Sequence, residues 1–238
     1  MHHIAVSILS ADRRRLPDEV QRVVAAGADA IHLNVVDAED RPNLNLGHLA
    51  CAELRAACPV PMHVHLRVAA SQALVAQFAE AGADMLILQP TPGQDMADLL
   101  RRVRQAGCQA GLAYGPTGPI GPTGPTGPLA PLSTLIGLLD LVHVACAWPQ
   151  APQRQFVPDS LDQIARVRSL VEQARGAGQA IRLQADGDIG PANIAQVAAA
   201  GAEDIVIGRA LFGASDWAAT IAGLRSALAS AETHRVPA

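Results

Sequence analysis

Four short segments carry side chains that could do chemistry together. His32 and Asn34 stand two residues apart in IHLNVVD (31–37), and His63 and His65 do so in HVHL (63–66). His143 lies in LVHVAC (141–146), while Gln184 and Asp186 close the run RLQAD (182–186). A spacing of two puts both members of a pair on the same face of a β-strand. If those faces point into a closed sheet, imidazoles and one carboxylate converge, a donor set suited to Zn²⁺ or another divalent ion. Each histidine alone fits equally well a hydrogen-bonded core or rim residue, and spacing does not choose between the two.

The elements that must position these residues are legible as alternating apolar runs and helical stretches. Strands are predicted at Ile4–Leu9, Ala30–Val35, Pro61–Leu66, Met85–Gln89, Gln109–Tyr114, Leu141–Cys146, Ala180–Ala185 and Asp204–Ile207. Helices are predicted at 16–26, 47–57, 71–81, 95–106, 131–138, 160–176, 191–200 and 214–230. The junctions repeat a phrase: AAGADAIHL (25–33), EAGADMLIL (80–88) and AAGAEDIVI (199–207). In each, Gly27, Gly82 or Gly201 falls where a helix ends in a left-handed residue before an apolar strand. Eight such βα units in one α/β chain predict a single (β/α)8 barrel of the TIM type over residues 1–238. A doubly wound open sheet fits less well, because no GxGxxG follows the first strand.

Composition narrows the chemistry. All 18 cationic side chains are arginine and the chain has no lysine, which excludes Schiff-base chemistry, pyridoxal-phosphate attachment and a Gly-Lys phosphate loop. A formal charge of −4 without a basic cluster argues against nucleic acid as a partner. The run Arg13-Arg14-Arg15 reads as a solvated helix start. With only 3% aromatic residues, the core is expected to be built from Ala, Val, Leu and Ile. Cys51, Cys58, Cys108 and Cys146 have no CxxC spacing and are expected to be reduced, buried apolar groups. No signal peptide or membrane-spanning run is recognisable, so no membrane partner and a cytoplasmic setting are expected.

Residues 115–129 read GPTGPIGPTGPTGPL, five Gly-Pro-X triplets. That period is collagen-like, but the stretch is too short for a stable triple helix. A polyproline-like surface loop after strand five is expected, on the rim where a barrel carries its active site.

The segments VSILSAD (6–12), IHLNVVD (31–37), PNLNLG (42–47), HVHL (63–66), ADGDI (185–189) and GRALFG (208–213) together resemble the ribulose-phosphate 3-epimerase family, in that family's order and spacing. The resemblance runs from the first strand to about residue 215. It implies a (β/α)8 barrel that interconverts two phosphorylated ketoses, and a divalent metal ion (Zn, Mn or Fe) held by His32, Asn34, His65 and Asp186. It also implies a substrate-contacting Ser7, a small phosphorylated sugar as partner, and a homo-oligomer. Abstracting a proton alpha to a ketone leaves an enediolate whose charge a Lewis-acidic metal can stabilise. Inversion then needs an acid/base group on each face of the carbon. By resemblance these groups are Asp186 and residue 34.

Residue 34 departs from that pattern. An amide can coordinate through oxygen, yet it cannot accept and return a proton, so Asn34 is expected to impair the family reaction. Asp37 is the nearest substitute base, although its phase on the strand points it away from the interior. Other departures are Val36, Arg67 and Ala145 at family methionines, His63 at a carboxylate, and WPQAPQR (148–154) in place of a glycine-rich lid. At the phosphate end, Gly187, Gly208 and Arg209 follow strands seven and eight, where such barrels bind phosphate, and Arg67 adds a second cation. Arg209 could instead pair with Asp188, which replaces a glycine. Three functions stay open on these residues: an impaired or altered epimerase, an anionic-sugar-binding relative without catalysis, and a barrel with other metal-dependent chemistry.

Overall fold

The computed structural model describes residues 2–36, 46–115, 130–147 and 155–233. Strands β1 (His3–Ser7), β2 (Ala30–Val36), β3 (Met62–Arg67), β4 (Met85–Leu88), β5 (Gln109–Tyr114), β6 (Leu141–Ala145), β7 (Arg182–Asp186) and β8 (Asp204–Ile207) pair in parallel and in sequence order. β8 pairs back onto β1, which closes the barrel. Around it run α1 (Leu16–Ala25), α2 (His48–Ala57), α3 (Gln72–Glu80), α4 (Met96–Gln105), α5 (Ala130–Leu135), α6 (Ser160–Gly176), α7 (Ile194–Ala200), α8 (Arg209–Phe212) and α9 (Trp217–Thr233). No helix among the described residues is long and apolar enough to cross a membrane.

The strand residues divide by phase. Ile31, Leu33 and Val35 of β2, with Val64 and Leu66 of β3, join the large apolar layer beneath the helices. The opposite phase fills the barrel. Its apolar part falls into two small clusters, Met85–Ile87–Ala113–Leu141 and Ala5–Ala30–Val206. The remaining inner positions include His32, His63, His65, His143 and Gln184, every one of them buried. A low aromatic content is consistent with this filling, because imidazole and amide side chains occupy space that large apolar groups fill in other barrels.

The repeated junctions have a physical role beyond their glycines. Gly27, Gly82 and Gly201 do take positive φ. Two residues on, the acid of the phrase reaches the barrel floor. Asp29 accepts the N–H of Ile4 at 2.7 Å and pairs with Arg225 at 2.8 Å. Asp84 accepts the N–H of Met62 at 2.7 Å and pairs with Arg55 at 2.7 Å. Asp140 likewise accepts from Ala110 at 2.8 Å, and Glu203 pairs with Arg175 at 2.5 Å. A strand's entry leaves backbone donors without a ladder partner, and the carboxylates of Asp29, Asp84 and Asp140 satisfy them, with an arginine beside Asp29 and Asp84 to balance the charge.

Element ends differ slightly from expectation. The first strand stops at Ser7 rather than Leu9, because Ile8–Ser10 turns into a 3₁₀ helix at the rim. The seventh begins at Arg182 rather than Ala180 and includes Asp186. Residues 191–193 form a turn ahead of α7. Arg13–Arg15 form an exposed 3₁₀ turn whose N-cap, Asp12, accepts the N–H of Arg14. The Gly-Pro-X stretch beyond Gly115, Asp37, residues 42–45 and the lid positions 148–154 lie outside the described residues.

All four cysteines are free and buried. Burial pushes the Cys51 thiol up to about 11 and that of Cys146 up to about 12. Thiolate, not thiol, is the nucleophile. The native protein is therefore expected to leave an aromatic disulfide reagent unreacted at pH 8, and the denatured protein to release four equivalents of chromophore. Any fast-reacting equivalent in the native state would contradict the burial.

Candidate metal centre

Strand register assembles the site. Across the β2–β3 ladder His32 pairs with His63 and Asn34 with His65. Across β6–β7 His143 pairs with Gln184 and Ala145 with Asp186. Barrel closure then brings these two ladders face to face. One ligand atom each from His32, His65 and Asp186 falls within 4.8 Å of the others. His32 Nε2 lies 4.0 Å from Asp186 Oδ2. Atoms bound to one ion at roughly 2.1 Å sit about 3.4–4.2 Å apart, so a small contraction would close the set around a metal.

The residues present fit such an ion. His32 and His65 are buried, and no hydrogen bond of good geometry reaches a ring nitrogen of either among the described residues, the Asn34 amide lying near His32 and the Gln89 amide near His65. Burial, and next the neighbouring His143, hold both imidazoles well below their ordinary range. They are thus neutral, with lone pairs to give. The Asp186 carboxylate, 23% exposed, supplies the opposing charge at the barrel mouth. Buried acceptors without donors around a carboxylate are costly alone and are satisfied by a cation.

Asn34 joins the cluster from β2: it is buried, and its amide donates to Ser7 Oγ at 3.2 Å. Ser7 pairs in register with His32, and a side chain built on Gly208 would approach the Ser7 carbonyl at 3.5 Å, so Ser7 and Gly208 adjoin. Gly187 follows Asp186 with φ +136°, and a Cβ there would lie 2.5 Å from the Ala147 nitrogen. Only glycine permits that passage. Arg67 ends β3 opposite Val36, and its charge is among the causes that lower His65. Arg209 meets Asp188, Nη2 to Oδ1, at 2.7 Å. Asp188 has φ +53°, the one non-glycine residue with positive φ among the described residues. Asp37 is not among the described residues.

Two further residues share the strand phase of the site but carry no family role, and the structure places both against it. His143 lies on the cluster, 4.4 Å from His65 between ring centroids and stacked on His32 at 5.6 Å. Gln184 binds it, Oε1 to Nδ1, at 2.7 Å. Their phase on adjacent strands was the available signal, but only closure shows that they stand beneath the His32–His65–Asp186 set.

An eight-stranded parallel barrel with histidines and a carboxylate clustered at its strand ends defines a TIM-type barrel with a rim site. The ribulose-phosphate 3 epimerase family profile matches residues 3–212. Ribulose-phosphate 3-epimerase 1 of Cupriavidus necator is 35% identical over 214 residues, covering 90% of this chain and 85% of its own. The ribulose-phosphate 3-epimerase of Escherichia coli K12 is 34% identical over 227 residues, covering 95% and 96%. The chain belongs to the ribulose-phosphate 3-epimerase family. Solved structures share the fold at lower identity. KGPDC from Streptococcus mutans aligns at TM-score 0.69 and 12% identity, covering 97% of this chain and 98% of its own. 3-Hexulose-6-phosphate synthase from Salmonella typhimurium aligns at TM-score 0.69 and 17% identity, covering 97% and 100%.

Proposed function

We propose that the protein is a carbohydrate-phosphate epimerase acting on a pentulose 5-phosphate, with one of its two proton-transfer positions disabled. The observation that carries this reading is the convergence of His32, His65 and Asp186 in a member of this family, with Asn34 where a second carboxylate is needed. His32, His65 and Asp186 would hold a divalent ion, Zn²⁺, Mn²⁺ or Fe²⁺, and Asn34 would add an amide oxygen. Such an ion would supply Lewis-acid stabilisation of the negative charge that develops on the substrate oxygens.

The rest is done by the chain itself. Asp186 takes the proton from the carbon alpha to the carbonyl on its own face and can return it there. Asn34, on β2, neither accepts nor returns one. Ser7, held by Asn34, donates to the substrate, and Gly187 and Gly208 leave backbone within close reach of it. The phosphate end is bound by Arg209 and Arg67, with Asp188 holding the Arg209 guanidinium in place until the anion arrives.

This arrangement separates two processes that a complete site couples. In D₂O, with Zn²⁺- or Mn²⁺-loaded protein and ribulose or xylulose 5-phosphate, NMR is expected to show deuterium entering carbon 3 of one epimer with retained configuration. Exchange should outrun inversion by about 10²-fold or more, the usual value of a positioned acid/base group. No exchange above the protein-free control would remove the proposal. If Asp37 serves as the second base, inversion keeps pace with exchange, and Asp37→Asn uncouples them.

Arg209→Ala is expected to raise KM for the phosphorylated ketose about 10- to 100-fold, the worth of one charge-assisted hydrogen bond, with little change in kcat. Steady-state kinetics of the exchange reaction check this, and an unchanged KM would leave Arg209 as a structural partner of Asp188.

A further inference from the structure

We propose that His143 is an additional metal ligand, giving its Nε2 to the ion held by His32, His65 and Asp186, and that Gln184 and His63 are the positioning residues that aim it. The inference rests on the metal site proposed above.

The argument starts from an amide. Gln184 is fully buried, and its Oε1 lies 2.7 Å from His143 Nδ1. A carboxamide oxygen only accepts, so Nδ1 carries the proton and Nε2 is left with the lone pair. On its other side the Gln184 Nε2 lies 3.4 Å from His63 Nδ1 and donates to it when His63 carries its proton on Nε2. His63, also buried, thereby holds the glutamine and the glutamine holds the imidazole.

The lone pair so fixed has no hydrogen-bond donor among the described residues. It faces the metal site: His143 Nε2 lies 3.9 Å from Asp186 Oδ2, the same oxygen that His32 Nε2 approaches at 4.0 Å. Both separations are within the span of two ligands on one ion. The His143 ring packs at 4.4 Å against His65 and at 5.6 Å, nearly parallel, against His32. A third neutral imidazole wedged there without a donor is an uncompensated desolvation cost in the metal-free barrel, and coordination removes it. The chemical consequence is a donor set of three nitrogens and a carboxylate beside the Asn34 amide oxygen, which favours Zn²⁺ or Co²⁺ over Mg²⁺. It also supplies by nitrogen what residue 34 no longer supplies by charge.

Imidazole ¹⁵N NMR of the wild-type protein titrated with Zn²⁺ alone tests the assignment without any variant. The metal-free protein is expected to show His143 as the Nδ1–H tautomer, and Zn²⁺ is expected to shift the Nε2 of His143 together with one nitrogen each of His32 and His65. Shifts at His32 and His65 without His143 would overturn this inference alone. No shift at any of the three would overturn it together with the metal site. Zn²⁺ affinity read by competition with a chromophoric chelator gives a second arm. His143→Leu is expected to weaken binding at least about tenfold, and Gln184→Leu by about 10- to 100-fold, the range of lost orienting partners. Unchanged Zn²⁺ affinity in folded His143→Leu would refute the assignment.

Discussion

Asp186→Asn is expected to lower the rate of carbon-3 exchange by about 10³-fold, within the range spanned by a positioned general acid/base. The effect is large because two functions reside in one carboxylate. Asp186 is the acidic member of the His32–His65–Asp186 set and, under the proposed function, the carboxylate that takes the substrate proton. Asparagine keeps the volume and removes both the charge and the basicity. The fold should survive, since Asp186 sits partly exposed at the rim and its backbone C=O, which accepts the Cys146 N–H at 2.6 Å, is untouched. The checks are the exchange assay, Zn²⁺ affinity by chelator competition, and an unchanged thermal transition of the metal-free protein. A variant that exchanges at the wild-type rate would exclude Asp186 as the proton carrier.

Asn34→Asp is expected to act in the opposite direction, raising inversion by about 10²-fold or more while leaving single-face exchange within a few-fold of its present rate. Asn34 is buried on β2 beside Ser7. An aspartate there would accept from the Ser7 hydroxyl in place of the present amide donation, and would face Asp186 across the cluster. The metal-free variant should be less stable than the parent, because a buried carboxylate without a cation is penalised, and Zn²⁺ should restore the difference. Equal inversion rates in parent and variant, measured by coupled assay of the epimer formed, would show that the second proton comes from elsewhere. The two variants are coupled by design. If both carboxylates act on one carbon, Asp186→Asn should cancel the gain from Asn34→Asp rather than subtract from it independently.

The sequence was informative to different depths at different places. Strand order, barrel class and the His32, His65 and Asp186 positions were legible because a period of two and a fixed set of motifs survive at this identity. The acid of the repeated junction was visible as part of a phrase, but not its task. That Asp29 and Asp84 cap the entries of β1 and β3 depends on which neighbour's first N–H lies within reach, a property of the closed sheet. Arg209 showed the same limit. Its charge suited either an anion or Asp188 in the sequence, and the structure seats the guanidinium on Asp188.

The amino-acid order by itself determined what chemistry is available: no lysine amine, a neutral Asn34 where the resemblance implies a carboxylate, and histidines spaced to share strand faces. Tertiary structure alone decided which of those groups meet. Barrel closure brings β6 and β7 opposite β2 and β3, and sets Gln184 against His143 and His143 against Asp186. The reason is one of range. Periodicity along a strand fixes the side on which a residue emerges, whereas distances between strands remote in sequence are set by curvature and register around the whole cylinder.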